Sequence, residues 1–205
     1  MTLSFILCVL GSYLLGSLPT GLLIARCYAT DIRTQGSGNI GAANVARVLG
    51  YGQGVLTLCG DMLKGFLPAW CGITFFHSTT AACILGAAAF AGHLFPVYLK
   101  FRGGKGVATC CGVLLCLAPA VTVVAAVLFV LIVGLSRYVA VGSLTCAVLM
   151  PVALTAYAFP LPVVLLSICM GLCIVLRHKD NIRRLLHGRE NKIPPLSLGK
   201  KNSSC

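Results

Sequence analysis

Acidic residues are scarce in this chain. Four Asp and Glu occur among 205 residues, and all charged types together make up 10% of the sequence, against about 25% in a soluble domain. That composition cannot cover a water-facing surface on all sides, so a free-standing soluble fold is excluded. The same scarcity argues against an acid-lined divalent metal site, because Asp31 and Asp180 are the only aspartates outside the apolar runs. Cysteine and histidine offer no substitute: no Cys/His cluster has zinc-site spacing, and Cys110 and Cys111 are adjacent in sequence. The first apolar run, from Leu3 to Ala25, has no basic segment before it and no cleavage signal. It therefore reads as a retained span rather than a signal peptide.

Hydrophobic residues make up 58% of the chain, and mean hydropathy is +0.96. The 16 Lys and Arg leave a net charge of +12 and a pI near 9.4. An anionic partner follows, and since the basic residues all lie within or beside apolar runs, phosphate head groups or small phosphates fit better than nucleic acid. Of the 12 cysteines, Cys8, Cys59, Cys71, Cys83, Cys116, Cys146, Cys169 and Cys173 lie in apolar runs, where free cysteine behaves as a small hydrophobe. No structural metal and no cofactor are expected.

A helical span needs roughly 20 apolar residues. The runs 3–25, 54–76, 79–99 and 138–158 qualify directly. The run 106–135 would make a helix of about 45 Å if unbroken, and Pro119 divides it into 106–117 and 119–135. The last run, 161–177, is set off by Pro160 and Pro162. Charge supports the division. With seven helices and the N-terminus outside, the segments 26–53, 100–105, 136–137 and 177–205 face the cytoplasm with net charges of +2, +3, +1 and +6, the whole net charge of the protein. Without it the basic C-terminal segment falls outside, against the positive-inside rule. The expectation is thus an all-α, seven-helix membrane bundle acting as a monomer, a single domain over residues 1–193, with a disordered cytoplasmic tail at 194–205.

This arrangement brings three polar segments to one membrane face: Gly36–Arg47 (GSGNIGAANVAR), Phe101–Thr109 (FRGGKGVAT) and Arg177–Asn191 (RHKDNIRRLLHGREN). In the second, Gly103, Gly104 and Gly106 flank Lys105 just before a helix, where N–H groups can bind phosphate. The pattern differs from a Walker loop, and a flexible glycine-rich connection explains it equally well. In the first, Ser37, Asn39 and Asn44 offer polar groups, and a helix over Ala42–Leu49 places Asn44 and Arg47 one turn apart; an interfacial helix reaching for lipid phosphate accounts for the same pattern. In the third, His178 and Asn181 share a helix face while Asp180 points elsewhere. Asp61 and Lys64 read as a neutral intramembrane pair, His93 as a packed or interfacial histidine, and Ser136-Arg137-Tyr138 as an interface anchor. Thr109, Glu190 and Asn191 are candidates for support rather than direct roles.

Taken together, GSGNxGAxNVxR, RGGKGVAT and RHxxNIxRLxxGxEN resemble the three motifs of the bacterial membrane glycerol-3-phosphate acyltransferases that use acyl phosphate, the PlsY family. The resemblance runs from near residue 5 to about 193 and takes in GSxPTG at Gly16–Gly21 and DMLKG at Asp61–Gly65. Ile40 and Ala43 depart from it, standing where proline and threonine are common. The resemblance implies a seven-helix bundle in the bacterial inner membrane that acylates the 1-position of glycerol 3-phosphate from acyl phosphate, giving lysophosphatidic acid and phosphate. Carried over by position, it makes Ser37, Arg47 and Lys105 the phosphate and reaction-centre groups. Ser143, His178 and Asn181 fall on the glycerol 3-phosphate side, and the amides of Gly103–Gly106 form an acyl phosphate cradle.

The His-x4-Asp pair of thioester-dependent acyltransferases is absent: the residues five positions after His77, His93, His178 and His187 are Ala82, Tyr98, Arg183 and Lys192. An acyl phosphate already carries a good leaving group. A substrate phosphate oxygen can then take the hydroxyl proton, with His178 as the competing base. A phosphate transporter should show internal repeats and midplane polar groups, and this sequence shows no repeat. A CDP-alcohol transferase should show clustered aspartates, which are also lacking.

Overall fold

The computed structural model describes residues 2–193; the segment expected to be a disordered tail, residues 194–205, lies outside them. Among the described residues the chain forms α-helices, one short 3-10 turn and no strand. In chain order the helices are α1 (Leu3–Ser17), α2 (Thr20–Cys27), α3 (Ala42–Leu49), α4 (Tyr51–Phe76), α5 (Thr79–Leu94), α6 (Val107–Leu117), α7 (Pro119–Ser136), α8 (Val139–Ala156), α9 (Leu161–Arg177) and α10 (Lys179–Leu186). Proline sets several boundaries. Pro119 opens α7 directly after α6 has ended, because a proline at the first helical position loses no hydrogen bond. Pro160 precedes α9 in the same way, with Pro162 in its first turn.

The first apolar run behaves differently from a single span. It breaks after Ser17, and α1 and α2 meet at an angle of 42°. Pro19 has no N–H to offer, so the helix cannot continue through it. The Leu18 carbonyl left at the break accepts a hydrogen bond from Lys64 Nζ on α4 at 2.8 Å. A second bend of 56° separates α9 from α10 at His178.

By length and composition, three helical stretches can cross a membrane: Thr79–Leu99, Pro119–Ser136 and Val139–Ala156. Each bent pair adds one more if it counts as a single span. Asp61 and Lys64 lower the mean hydropathy of α4, and α6 is apolar but only 11 residues long. The pattern of exposure suits lipid. On α7, Val123, Val124, Val127, Val130 and Leu131 all face outward, and apolar groups cost nothing where the solvent is hydrocarbon.

Inside, Phe90 and Leu94 of α5, Val113 and Leu114 of α6, Leu154 of α8, and Met170 and Ile174 of α9 make the main core. Small residues let the helices approach closely, as they do in membrane bundles. A side chain at Gly16 would strike the Ala89 backbone of α5, and one at Gly65 the Thr109 backbone of α6. Leu22, Ala25, Ile32, Ile40 and Val45 form a smaller cluster that binds the 28–41 connection to α2 and α3.

Candidate active site

Three stretches far apart in sequence meet at one end of the bundle. A cavity of about 470 Å³ is lined there by Ser37, Gly38 and Asn39 from the connection before α3, by Gly103, Gly104 and Lys105 from the connection before α6, and by the α9–α10 corner, including Arg177, Asn181 and Arg184.

The first wall is held by Asn44. Its side-chain oxygen accepts the Ser37 N–H at 2.8 Å, and its amide nitrogen donates to the carbonyls of Ile32 at 3.0 Å and Gln35 at 3.1 Å. Buried and with these three hydrogen bonds made, the Asn44 side chain holds the loop that carries Ser37. Gly36 and Gly38 take positive φ here, and a side chain at Gly36 would collide with the Asn44 oxygen. Asn39 Oδ1 caps the Gly41 N–H at 2.8 Å. The neighbouring Ile40 packs into the smaller apolar cluster, which gives a side chain that is not proline a place to go.

The second wall rests on the end of α5. The N–H groups of Gly103 and Gly104 donate to the carbonyls of Leu94 at 3.2 Å and His93 at 3.1 Å. They are therefore engaged within the chain. Glycine is required at 103 and 104 for another reason: a side chain would meet the His93 carbonyl at the first and the His93 ring at the second. Gly106 lies off the cavity wall, where its φ of 85° starts α6 and a side chain would meet Phe90 and Leu94. Arg177 clamps the connection from α9. Its guanidinium donates to Gly104 O at 3.0 Å, Gly103 O at 2.8 Å and Leu94 O at 3.1 Å, and lies 5.6 Å from the Phe95 ring centre.

Lys105 projects from this support and donates to Asn181 Oδ1. Asn181 Nδ2 in turn donates to Glu190 Oε1 at 2.7 Å, and Arg184 Nε donates to Glu190 Oε2 at 2.7 Å. Burial lowers the Lys105 pKa to about 8, with Glu190 opposing the shift and Arg184 reinforcing it. The Arg47 charge also acts on Lys105. Burial lowers the Arg47 pKa too, and its Nε is buried without a hydrogen-bond partner among the described residues. A buried guanidinium donor left free is costly unless an anion takes it.

His178 stands at the α9–α10 corner, buried, with Nδ1 2.8 Å from the Ile174 carbonyl. A carbonyl only accepts, so Nδ1 carries the proton and Nε2 keeps its lone pair. Burial, then the Lys105 charge, push its pKa down to about 4. The imidazole is neutral at physiological pH. Ser143 is buried on α8 with its hydroxyl donating to the Val139 carbonyl at 2.9 Å; Ser143, Arg47 and His178 lie behind the residues that line this cavity.

Behind Gly104, Asp61 and Lys64 pair at 2.8 Å and His93 Nδ1 lies 3.8 Å from Asp61. The pair is neutral as expected, but it also reaches the helix break through Leu18. Glu190 takes the supporting place expected of it, holding Asn181 and Arg184, while the Arg177 clamp had no signal in sequence beyond its charge. The signal for Glu190 was that it is one of only four acids in a cationic chain.

A family profile described as glycerol-3-phosphate acyltransferase matches residues 6–188. The chain belongs to the glycerol-3-phosphate acyltransferase family. Family members named glycerol-3-phosphate acyltransferase include one from Geobacter metallireducens, 46% identical over 187 residues, covering 91% of this chain and 96% of the relative. Another, from Trichlorobacter lovleyi, is 42% identical over 184 residues, covering 90% and 95%. The crystal structure of PlsY (YgiH), an integral membrane glycerol 3-phosphate acyltransferase, in its glycerol 3-phosphate form superposes with a TM-score of 0.90 at 38% identity, covering 93% of this chain and 96% of that one. Its lysophosphatidic acid form gives a TM-score of 0.87. Like that protein, this family member is an integral membrane protein.

Proposed function

We propose that this acyltransferase moves a fatty acyl group from acyl phosphate to the 1-position hydroxyl of glycerol 3-phosphate, giving lysophosphatidic acid and inorganic phosphate. The observation that carries the reading is a cationic cavity where Ser37, Lys105 and Asn181 converge from three segments, with Arg47 and His178 within electrostatic reach of Lys105. Both substrates are anionic and repel each other, and fixed cations remove that obstacle before the reaction starts.

In this mechanism the hydroxyl oxygen attacks the acyl carbon, the bond from that carbon to the phosphate oxygen breaks, and Arg47 and Lys105 stabilise the charge gathering on the departing phosphate. Ser37 lines the same cavity as Lys105. His178, on the glycerol 3-phosphate side with Asn181, accepts a hydrogen bond from the hydroxyl through Nε2. A group whose pKa is about 4 is a poor base near neutrality. The proton therefore goes to a substrate phosphate oxygen.

The bundle is read as seven spans in a bacterial inner membrane, N-terminus outside and cavity at the cytoplasmic face, acting as a monomer with no cofactor. The charge of the cavity segments supports that orientation. Purified protein given glycerol 3-phosphate should form lysophosphatidic acid from palmitoyl phosphate and not from palmitoyl-CoA; the reverse preference overturns the donor assignment. His178→Asn should keep substantial turnover with weakened glycerol 3-phosphate binding, whereas abolished turnover at saturating substrate would restore histidine as the base.

A further inference from the structure

After α10 the chain turns at Gly188, which has a φ of 65°, and crosses the end of the bundle to the α7–α8 turn. At one end of this strap the buried Glu190 carboxylate holds Asn181 and Arg184. Three residues later, Ile193 is tied to Arg137 in both directions. Its N–H donates to the Arg137 carbonyl at 2.9 Å, and its carbonyl accepts from Arg137 Nε at 3.1 Å and Nη2 at 2.9 Å. The Lys192 ammonium adds a cation–π contact, 5.4 Å from the Tyr138 ring centre. The turn that receives the strap is itself ordered, since the Arg137 N–H donates to Val133 O at 2.7 Å and the Tyr138 N–H to Ser136 Oγ at 3.1 Å.

We propose that Arg137 is a positioning residue for the acyl transfer: it latches the 188–193 strap so that Glu190 fixes Asn181, and Asn181 fixes Lys105 over the cavity. This deepens the acyltransferase reading and rests on it. Without the Arg137 side chain, Ile193 would keep one backbone hydrogen bond and Lys192 its contact with Tyr138, but the carbonyl at 193 would be free to turn and the Glu190 carboxylate would spread over more geometries. Lys105 would lose its fixed direction with it. A misdirected charge stabilises a departing phosphate poorly even when substrate still binds. A positive charge at 137 would serve equally well as lysine if its task were only membrane orientation. Two donors on one carbonyl, by contrast, need the guanidinium fork.

The test is steady-state kinetics of purified Arg137→Lys and Arg137→Ala, which should fold because Arg137 is exposed. The alanine variant should lose about fivefold in kcat, with KM for glycerol 3-phosphate changed by less than about twofold, the lysine variant falling between. Melting temperatures in detergent should stay at the wild-type value. On a Glu190→Gln background the same replacement should cost nothing further. Lys192→Ala loosens the strap without touching either partner and should lower kcat in the same direction, by about twofold. Wild-type kcat in Arg137→Ala, full recovery by lysine, or an equal fractional loss on the Glu190→Gln background would each overturn the latch. If the wild-type protein makes no lysophosphatidic acid from acyl phosphate in that assay, it is the reading of the reaction that fails.

Discussion

Lys105 shows how burial sets the working range of one charge. Held at a pKa of about 8, it is protonated below that pH and becomes neutral above it. The phosphate-stabilising cation is then lost, so kcat/KM should fall as pH rises through 8. In the complex, substrate anions favour the charged form, so the alkaline limb of kcat should lie at higher pH than that of kcat/KM. Lys105→Arg should be less active but should lose that limb, since a guanidinium stays charged. An unchanged alkaline limb in the arginine variant would assign it to another group. The basic segments were legible in sequence as a group, because topology brings three of them to one face, although a charge beside a span serves equally well as a topology anchor. The place of Asn44 was harder to read: it is a polar residue in a polar segment, and spacing alone cannot distinguish one that meets substrate from one that holds a backbone.

Helix positions were readable at the scale of elements because hydropathy and proline act locally. Pro119 and Pro160 mark boundaries that the structure keeps. The break at Pro19 was hidden within an apolar run, and its partner, Lys64, is 46 residues from Leu18. Glycines 103 and 104 illustrate a related ambiguity, since close approach to a ligand and close approach to another helix call for the same residue. Either glycine changed to alanine should force the connection off α5 and lower kcat by about tenfold or more, measured at saturating substrate. Asp61 neutralises Lys64 where the ammonium holds the broken helix. Asp61→Asn leaves that charge buried and unpaired, at a cost of about 3–5 kcal/mol. A lower melting temperature in detergent is expected, with recovery when Lys64 is changed to Met as well; an unaltered melt in the single variant would show that the pair does not stabilise the bundle.

For the whole molecule, sidedness ties sequence to chemistry. Three segments separated by apolar helices can share a ligand only if they return to the same end of the bundle, and the charge distribution in the sequence calls for that arrangement. The structure meets the condition, with Ser37, Lys105 and Asn181 on one wall system. The most direct measurement is the crystal structure of this protein with glycerol 3-phosphate and a non-hydrolysable acyl phosphonate. The account predicts phosphonate oxygens at charge-assisted hydrogen-bond distance, about 2.8 Å, from Lys105 Nζ and the Arg47 guanidinium, with the glycerol hydroxyl facing His178 Nε2. Ligands bound at the opposite end of the bundle, or two anions held in separate sites with no shared cation, would contradict it.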